Sequence, residues 1–589
     1  MESLTSPLVL AAKPSSKDRT LRKARTEEYP KQVWYCIACF LFLLILGNAI
    51  SWLSLWRRSR RRRAQANSKV QDPEASNRQG NGRVALGRIH VALVNAWRVI
   101  AFRSVIYIGD NYTISLTEVF ITAAYITALF AWALMNTTNT AGRKFDPSYY
   151  ANRAGCIAAL QTPLVVALGM RNNVIAWLTG ISFEKLSYFH RMTARAVCIL
   201  VWLHAGGWLY IGLGSNHALY RNHMTWGLTS LVALTLLTLV FIRPVRKMNY
   251  ELFVVIHFIL ALFMLLGGYF HARDFELGKY IWPSFVLWGF DRVLRVVRLA
   301  AFNHGYFGLS SGVGTFNATA EHVSHGFVRL RFRRPDHLHW RPGQSAFLTM
   351  PAVSTLPFES HPFTIASADL QSCDGEPASP VSPVDEKRAM DAEGPSPSAQ
   401  GKELVFLIRA QKGFTKRLDE VAKSSGEMKI FFDGPYSDPP RLAYYDTVVL
   451  FAGGSGVSFT SPLFVDLVYR TRKDPTTCRS IIFVWAIREP DQINLVYEDL
   501  ARALRDAPPN LHISVRIYIT DTGSQLSLAG SGSPSSDAAS DIDEEKAEAR
   551  IQRLPRTTVH EGRPEVGSII QDACAAARGS VACAVRRGW

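Results

Sequence analysis

Seven apolar blocks of about twenty residues each crowd into the first three hundred positions, and such blocks leave a chain few options. In hydrocarbon an unpaired backbone N–H or C=O costs several kcal/mol, so each block reads as a membrane-spanning helix. They fall at Val33 to Trp56, Leu116 to Met135, Ala154 to Leu178, Thr193 to Leu213, Met224 to Ile242, Leu252 to Phe270 and Tyr280 to Leu299, the last with Asp291 near its end. A further stretch, Val84 to Ile108, is interrupted by Arg88, His90, Arg98 and Arg103. Its amphipathic rhythm reads as a helix on the membrane surface rather than a span.

The net charge of +18 would suit nucleic acid, but the cations sit beside the apolar blocks, at Arg57 to Arg63, Arg243 to Lys247 and Arg292 to Arg298. That is the signature of cytosolic membrane loops, so nucleic-acid binding is excluded as the reading. Holding the later clusters in the cytosol turns the sequon at Asn136 outward. The first helix stays open in direction, because its two flanks are nearly balanced in Lys and Arg. The first thirty residues are polar and basic, so that helix reads as a retained anchor. Eight cysteines lie scattered without CxxC pairs, and Cys36 and Cys39 share the first helix; neither a disulfide framework nor a zinc site is expected.

Within the blocks stand His190 and His204, fourteen residues apart, and His257 and His271 at the same spacing. Fourteen helical residues rise about 21 Å and stop about 40° short of four turns, so each pair shares one helix face near opposite membrane boundaries. The second pair lies two helices on and runs in the same direction. Ligands about 21 Å apart cannot converge on one zinc. Facing imidazoles can instead hold one haem iron between them, and two such haems would stack across the bilayer. Arg191 and Arg195 could pair with haem propionates or with lipid headgroups.

Beyond residue 310 the apolar runs give way to strand-like segments, HGFVRLRFRRP, QSAFLTMP, ELVFLIRA and MKIFFDG, which suggest a small antiparallel barrel. From Tyr445 strands alternate with helices, expected at Phe459 to Thr471 and Asn494 to Leu504, as in a doubly wound parallel sheet. Two inserts, Ser372 to Gly401 and Ser524 to Ala549, are rich in Ser, Pro, Gly and acids and are expected to be disordered.

The barrel carries HPFTIAS, in which Phe363 can lie against a flavin ring and Thr364 can bond its reactive nitrogen, or both can be ordinary strand residues. Lys412 to Leu418 offers a glycine turn into a helix, suited to a pyrophosphate or simply to starting the helix. Leu450 to Leu463 is strand, glycine turn and helix, so Gly453, Gly454, Ser455 and Gly456 read as a dinucleotide-phosphate turn. Arg488, ending the next strand, could meet a 2′-phosphate and so favours NADPH over NADH.

In this order the pieces resemble the ferric reductase family of fungal membrane flavocytochromes, related to the NADPH oxidases, over roughly residues 113 to 520. The resemblance rests on MRNNVIAWLTGISFEKLSYFHR, both histidine pairs, HPFTIAS, GPYSDPP, AGGSGVS and FVWAIR. It implies an α-helical bundle followed by a ferredoxin-reductase-like module, an antiparallel β-barrel with FAD and an α/β domain with NADPH. It implies two haem b, the inner on His190 and His257 and the outer on His204 and His271. It assigns FAD to His361, Pro362, Phe363, Thr364, Ser367, Lys412, Gly413 and Thr415, with Thr364 and Cys583 at the reacting centre. The family passes electrons outward to ferric or cupric complexes, and the equal histidine spacings look more like a metalloreductase than a superoxide-forming oxidase.

The domains so implied are 1–112, with one anchor and a basic linker; 113–300, a six-helix haem domain; 310–440, the FAD barrel; and 441–589, the NADPH domain. A plasma membrane or vacuolar membrane location and a functional link to a metal permease or oxidase go with it. The departure is at GSVACAVRRGW, where relatives continue into a Cys-Gly-Pro turn. Cys583 is the candidate remnant of that turn, with Ala584 and Val585 in place of Gly-Pro. On that reading a last helix and strand are missing, apolar sheet is exposed and NADPH-driven turnover is impaired, giving a haem protein that accepts hydride poorly.

Overall fold

The described residues of the apolar blocks fold predominantly as helix, as backbone satisfaction in lipid demands. The computed structural model describes residues 16–71, 96, 105–107, 113–214, 219–239, 244, 246, 249–303, 317–324, 326–333, 337–356, 359–370, 403–424, 426–520, 546–577 and 579–587. Its long helices are α1 (Ser16–Gln71), α2 (Leu116–Leu134), α3 (Pro147–Gly169), α4 (Phe183–Ile211), α5 (Asn222–Leu239), α6 (Tyr250–Arg273) and α7 (Trp282–Phe302). Five of these, α1, α2, α3, α4 and α6, are long and apolar enough to cross a membrane, against the seven expected. The remaining two are α5, described over 18 residues, and α7, which carries Asp291, Arg292, Arg295 and Arg298. The surface helix expected over Val84 to Ile108 lies outside the described residues except for residue 96 and Val105–Tyr107 (β1), which pairs with Thr113–Ser115 (β2).

The block expected at Ala154 to Leu178 is broken. Helix α3 stops at Gly169, and Val174–Thr179 forms a separate short helix capped by Asn173. Asp291, 1% exposed, fixes the break by accepting the Asn172 backbone N–H at 2.9 Å and its Nδ2 at 3.1 Å. A carboxylate in a block expected to span thus anchors the link between two helices rather than standing as an isolated charge.

The chain divides into two compact units, residues 1–49 with 75–293 and residues 50–74 with 294–589. In the first, polar contacts give α1 its direction. Asp18 accepts from Thr140, Trp34 Nε1 donates to Leu160 O at 2.6 Å, and Asn48 Nδ2 donates to Leu178 O at 2.9 Å. Helix α1 therefore runs parallel to α3, its start beside the Asn136 loop, where Asn136 Nδ2 donates to Tyr29. These contacts set the direction of α1 relative to α3.

In the second unit, alternation of buried and exposed residues gives Asn317–Ser324 (β3), Phe327–Arg333 (β4), Ser345–Thr349 (β5), His361–Thr364 (β6), Glu403–Arg409 (β7), Glu427–Lys429 (β8) and Phe431–Tyr436 (β9). They form antiparallel sheets in the orders β7-β4-β3-β8 and β6-β5-β9, closed over Val328, Leu330, Leu348, Phe406 and Phe432. Helix α8 (Phe414–Ser424) covers them. The expected antiparallel barrel is this pair of sheets.

A parallel sheet follows, of Thr447–Gly453 (β10), Ser480–Ile487 (β11), His512–Ile519 (β12), Thr557–Glu561 (β13) and Val581–Arg587 (β14), in the order β13-β12-β11-β10-β14. Helices α9 (Val457–Lys473) and α10 (Tyr497–Arg505) pack on one face, and α11 (Val566–Ala576) on the other. Helix α10 starts later than the expected Asn494, because Pro490–Leu495 closes as a 3-10 turn. The insert Ser372 to Gly401 lies outside the described residues, as does Ser524 to Ala549 up to residue 545. Residues 546–552 are helical, with Ala547 and Ile551 buried at i, i+4 spacing, so this loop ends earlier than expected. Val581–Arg587, the stretch around the candidate turn remnant Cys583, folds as strand β14, which pairs with all seven residues of β10 and covers that edge of it.

Asp446 ties the lower ends of these strands together. Its carboxylate accepts the Ser580 N–H at 2.9 Å and Oγ at 3.0 Å, and Arg62 of α1 donates to it at 3.2 Å. Arg62 also donates to Tyr444 O. Burial pulls the Asp446 carboxyl up, but the Ser580 bonds and Arg62 outweigh it and hold it below the usual carboxylate range. Asp446→Ala is expected to cost about 1–3 kcal/mol, read from chemical or thermal unfolding. The folded-state pKa is the lower one, so the difference between wild type and variant is full above about pH 4 and fades as pH falls through the depressed value.

Candidate functional site

The i, i+14 arithmetic places two imidazoles on each of α4 and α6, and the structure brings them together in pairs. His190 faces His257 with ring centres 6.2 Å apart, and His204 faces His271 at 6.0 Å. Imidazoles binding one iron from opposite sides, at about 2 Å per bond and about 1.2 Å from nitrogen to ring centre, sit roughly 6.3 Å apart.

Three of the four rings are oriented by a backbone carbonyl. His190 Nδ1 donates to Val165 O at 2.8 Å, His204 Nδ1 to Ala151 O at 2.9 Å and His271 Nδ1 to His223 O at 2.8 Å. With Nδ1 carrying the proton, Nε2 keeps its lone pair for a metal. A glycine one turn beyond each acceptor makes room: a Cβ on Gly169 would stand 3.0 Å from His190, on Gly155 2.8 Å from His204 and on Gly227 2.7 Å from His271. Sequence reasoning missed these glycines, although Gly155 and Gly169 are themselves fourteen apart. Spacing, orientation and cradle all fit an iron porphyrin between each pair. Arg191 donates to Ser187 and Arg195 to Met192 within α4, which leaves both readings of these arginines standing.

In the barrel, HPFT and KGFT meet at one side chain. Gly413, at φ 65°, turns the chain into α8, and buried Phe414 stacks against His361 at 4.3 Å and Phe363 at 6.4 Å. Lys412 and Gly413 are exposed at this helix start, and Thr415 Oγ1 accepts from Gln411 N at 3.0 Å. Glu359 orients His361 at 3.0 Å and also accepts from Thr355 and Arg417. Burial raises its carboxyl pKa, but the His361 and Thr355 bonds outweigh that and hold it low. Ser367 is taken up structurally, its Oγ accepting from Val405 N at 3.2 Å, and Pro362 is exposed. Thr364 pairs with Ser345, and Ser345 pairs on its other side with Tyr436.

At the sheet's upper edge, Gly453 ends β10, Gly454 takes φ 50°, and Ser455 and Gly456 lead into α9. Nothing lies within 4 Å of a Cβ on Gly454, so the turn is open to a phosphate. Gly453 registers with Ala486, two residues before Arg488, which places that cation on the same edge. Cys583 is elsewhere. It registers with Val449 in mid-strand, and the residues beside Ala452 and Gly453 are Arg586 and Arg587. Strand register, which the sequence could not supply, takes Cys583 away from the turn assigned to it and brings Arg586 to within 5.8 Å of the Phe459 ring.

Residues 154–268 match the family described as ferric reductase like transmembrane component, 313–374 an FAD-binding domain and 445–585 a ferric reductase NAD binding domain. A relative from Aspergillus oryzae named probable cell surface ferric reductase kap2 is 30% identical over 378 residues, 61% of this chain and 46% of its own length. Ferric reductase transmembrane component 5 of Saccharomyces cerevisiae is 26% identical over 73% of this chain and 56% of its own. Ferric/cupric reductase transmembrane component 1 of Candida albicans is 24% identical over 59% and 41%. The chain thus spans about half the length of these curated relatives.

The glycine cradle is testable on the purified protein. Gly155→Ala and Gly169→Ala are expected to displace their imidazoles and lower haem affinity by roughly 10–100-fold, read from haem content and titration. Gly206→Ala, with nothing within 4 Å of its Cβ, should leave haem content unchanged.

Proposed function

We propose that this chain, a member of the ferric reductase family, carries electrons from cytosolic NADPH through FAD and two haem b groups across a membrane to ferric or cupric complexes outside. The observation that carries the reading is the pair of facing imidazoles at 6.2 and 6.0 Å, repeated fourteen residues apart along two helices. When bound, haem would supply one-electron transfer and FAD the exchange between a hydride's two electrons and single electrons.

The chain's own residues set the conditions for this. His190 with His257 would hold the inner group, and His204 with His271 the outer, the Nδ1–carbonyl bonds of His190, His204 and His271 keeping their Nε2 neutral and aimed. Phe363 and Thr364 orient the flavin, while the amides after Gly413, with Lys412 and Thr415, take its pyrophosphate. Gly453 to Gly456 take the nicotinamide dinucleotide's phosphates, and Arg488, with Arg586 nearby, favours a 2′-phosphate. The domains are 113–300 for haem, 310–440 for FAD and 441–589 for NADPH. The plasma membrane is the proposed location, with a metal permease or oxidase as the consumer of the reduced metal.

The test uses detergent-purified chain. NADPH is expected to reduce the haem as dithionite does, and ferric citrate reduction should survive superoxide dismutase. His204→Ala should lose one haem of two and abolish ferric reduction while NADPH still reduces the remaining haem. Haem that responds to dithionite but not to NADPH would sink the NADPH pathway, and loss of the signal with superoxide dismutase would make the chain an oxidase.

A further inference from the structure

The last turns of α7 are fastened to β9 by polar contacts within the second unit. Arg295 donates from Nε to Asp433 Oδ2 at 3.1 Å and forms an ion pair with it through Nη2 at 3.0 Å. Asn303, fully buried, reads both backbone groups of Phe432, accepting its N–H at 3.0 Å and donating to its carbonyl at 2.8 Å. Asp433 also receives the hydroxyl of Tyr436. Burial pushes that phenol's pKa up and the Asp433 charge pushes it further, so Tyr436 stays neutral.

One cation in this assembly is not used up by it. Arg298 lies 4.7 Å over the Tyr436 ring, and its Nη1 is buried with no hydrogen bond among the described residues. A buried guanidinium nitrogen left so is costly unless an anion reaches it. The register says where it sits. Ser345 pairs with Thr364 on one side and Tyr436 on the other, so the three side chains share one sheet face. Two strand spacings of about 4.8 Å separate Thr364 from Tyr436. That is a length the three-ring flavin spans.

We propose that Arg298 is an anion-binding residue of the flavin site, holding the negative charge that the flavin's pyrimidine ring acquires on reduction. The assignment rests on the flavin reading above. A hydride leaves NADPH as NADP+ and brings the flavin two electrons and one proton, so the reduced ring is an anion. A cation beside it favours the reduced form and touches the oxidised, neutral ring far less.

The experiment compares the full chain with Arg298→Gln and Arg298→Lys, reading FAD content, the flavin midpoint potential by spectroelectrochemistry, and both haem potentials. Arg298→Gln is expected to keep FAD but disfavour the reduced flavin about tenfold, close to 30 mV for a two-electron couple. Arg298→Lys should recover most of the shift, and the haem potentials should not move. An unshifted flavin potential in an FAD-loaded variant overturns this assignment alone. A haem potential that moves instead overturns it in favour of a propionate partner, and equal loss of oxidised and reduced flavin affinity overturns it as a packing effect. A wild-type chain that takes up no FAD overturns the flavin reading and this assignment together.

Discussion

A hydrogen bond from an imidazole Nδ1 to a helix carbonyl organises the first unit. The acceptors Ala151, Val165 and His223 are each followed one turn later by a glycine, Gly155, Gly169 and Gly227. An interior helix carbonyl already faces the N–H four residues on, so a second donor must come in from the side, where that residue's Cβ would stand. The bond itself contributes only about 1 kcal/mol. Its larger effect is to fix tautomer and ring direction together in His190, His204 and His271.

Buried carboxylates do comparable work at the joints. Asp291 holds the link after α3 through Asn172, Asp433 gathers Arg295 and Tyr436, and Asp446 binds the start of β14 to the start of β10. Each is at least partly screened from water, where an unpaired charge would be strongly destabilising, and each is therefore surrounded by donors. Charged residues that look misplaced in an apolar or strand-rich stretch mark where elements are fastened. Arg153, fully buried, donates from Nη1 to Met135 O and lies 4.5 Å over the Tyr29 ring, while its Nε and Nη2 have no hydrogen bond among the described residues.

Much of this was legible in the sequence because its signals are local or periodic. The histidine pairs could be read from spacing alone, and the glycine turn after β10 from its strand–turn–helix context. The glycines at 155 and 169 share the same period, but a glycine carries no chemistry until the neighbouring helix is known. HPFT and KGFT were readable singly, whereas their meeting on Phe414 joins residues some fifty apart across an insert. Direction of α1 depended on Asp18, Trp34 and Asn48 finding partners on other elements, which charge counting cannot see. The position of Cys583 was a question of register, and a run of seven strand residues fits its neighbour in several offsets until the Asp446 contact selects one.

Strand β14 sits beside β10, the first strand of its sheet, yet follows it by 134 positions from Gly453 to Arg587. At translation rates of about 5–20 residues per second, roughly 7–27 s separate the emergence of one partner from that of the other. For that interval the β14 side of β10 has no strand partner. That side of the sheet must wait for β14, and a chain held so long with an open strand edge is a natural client of holding chaperones during synthesis.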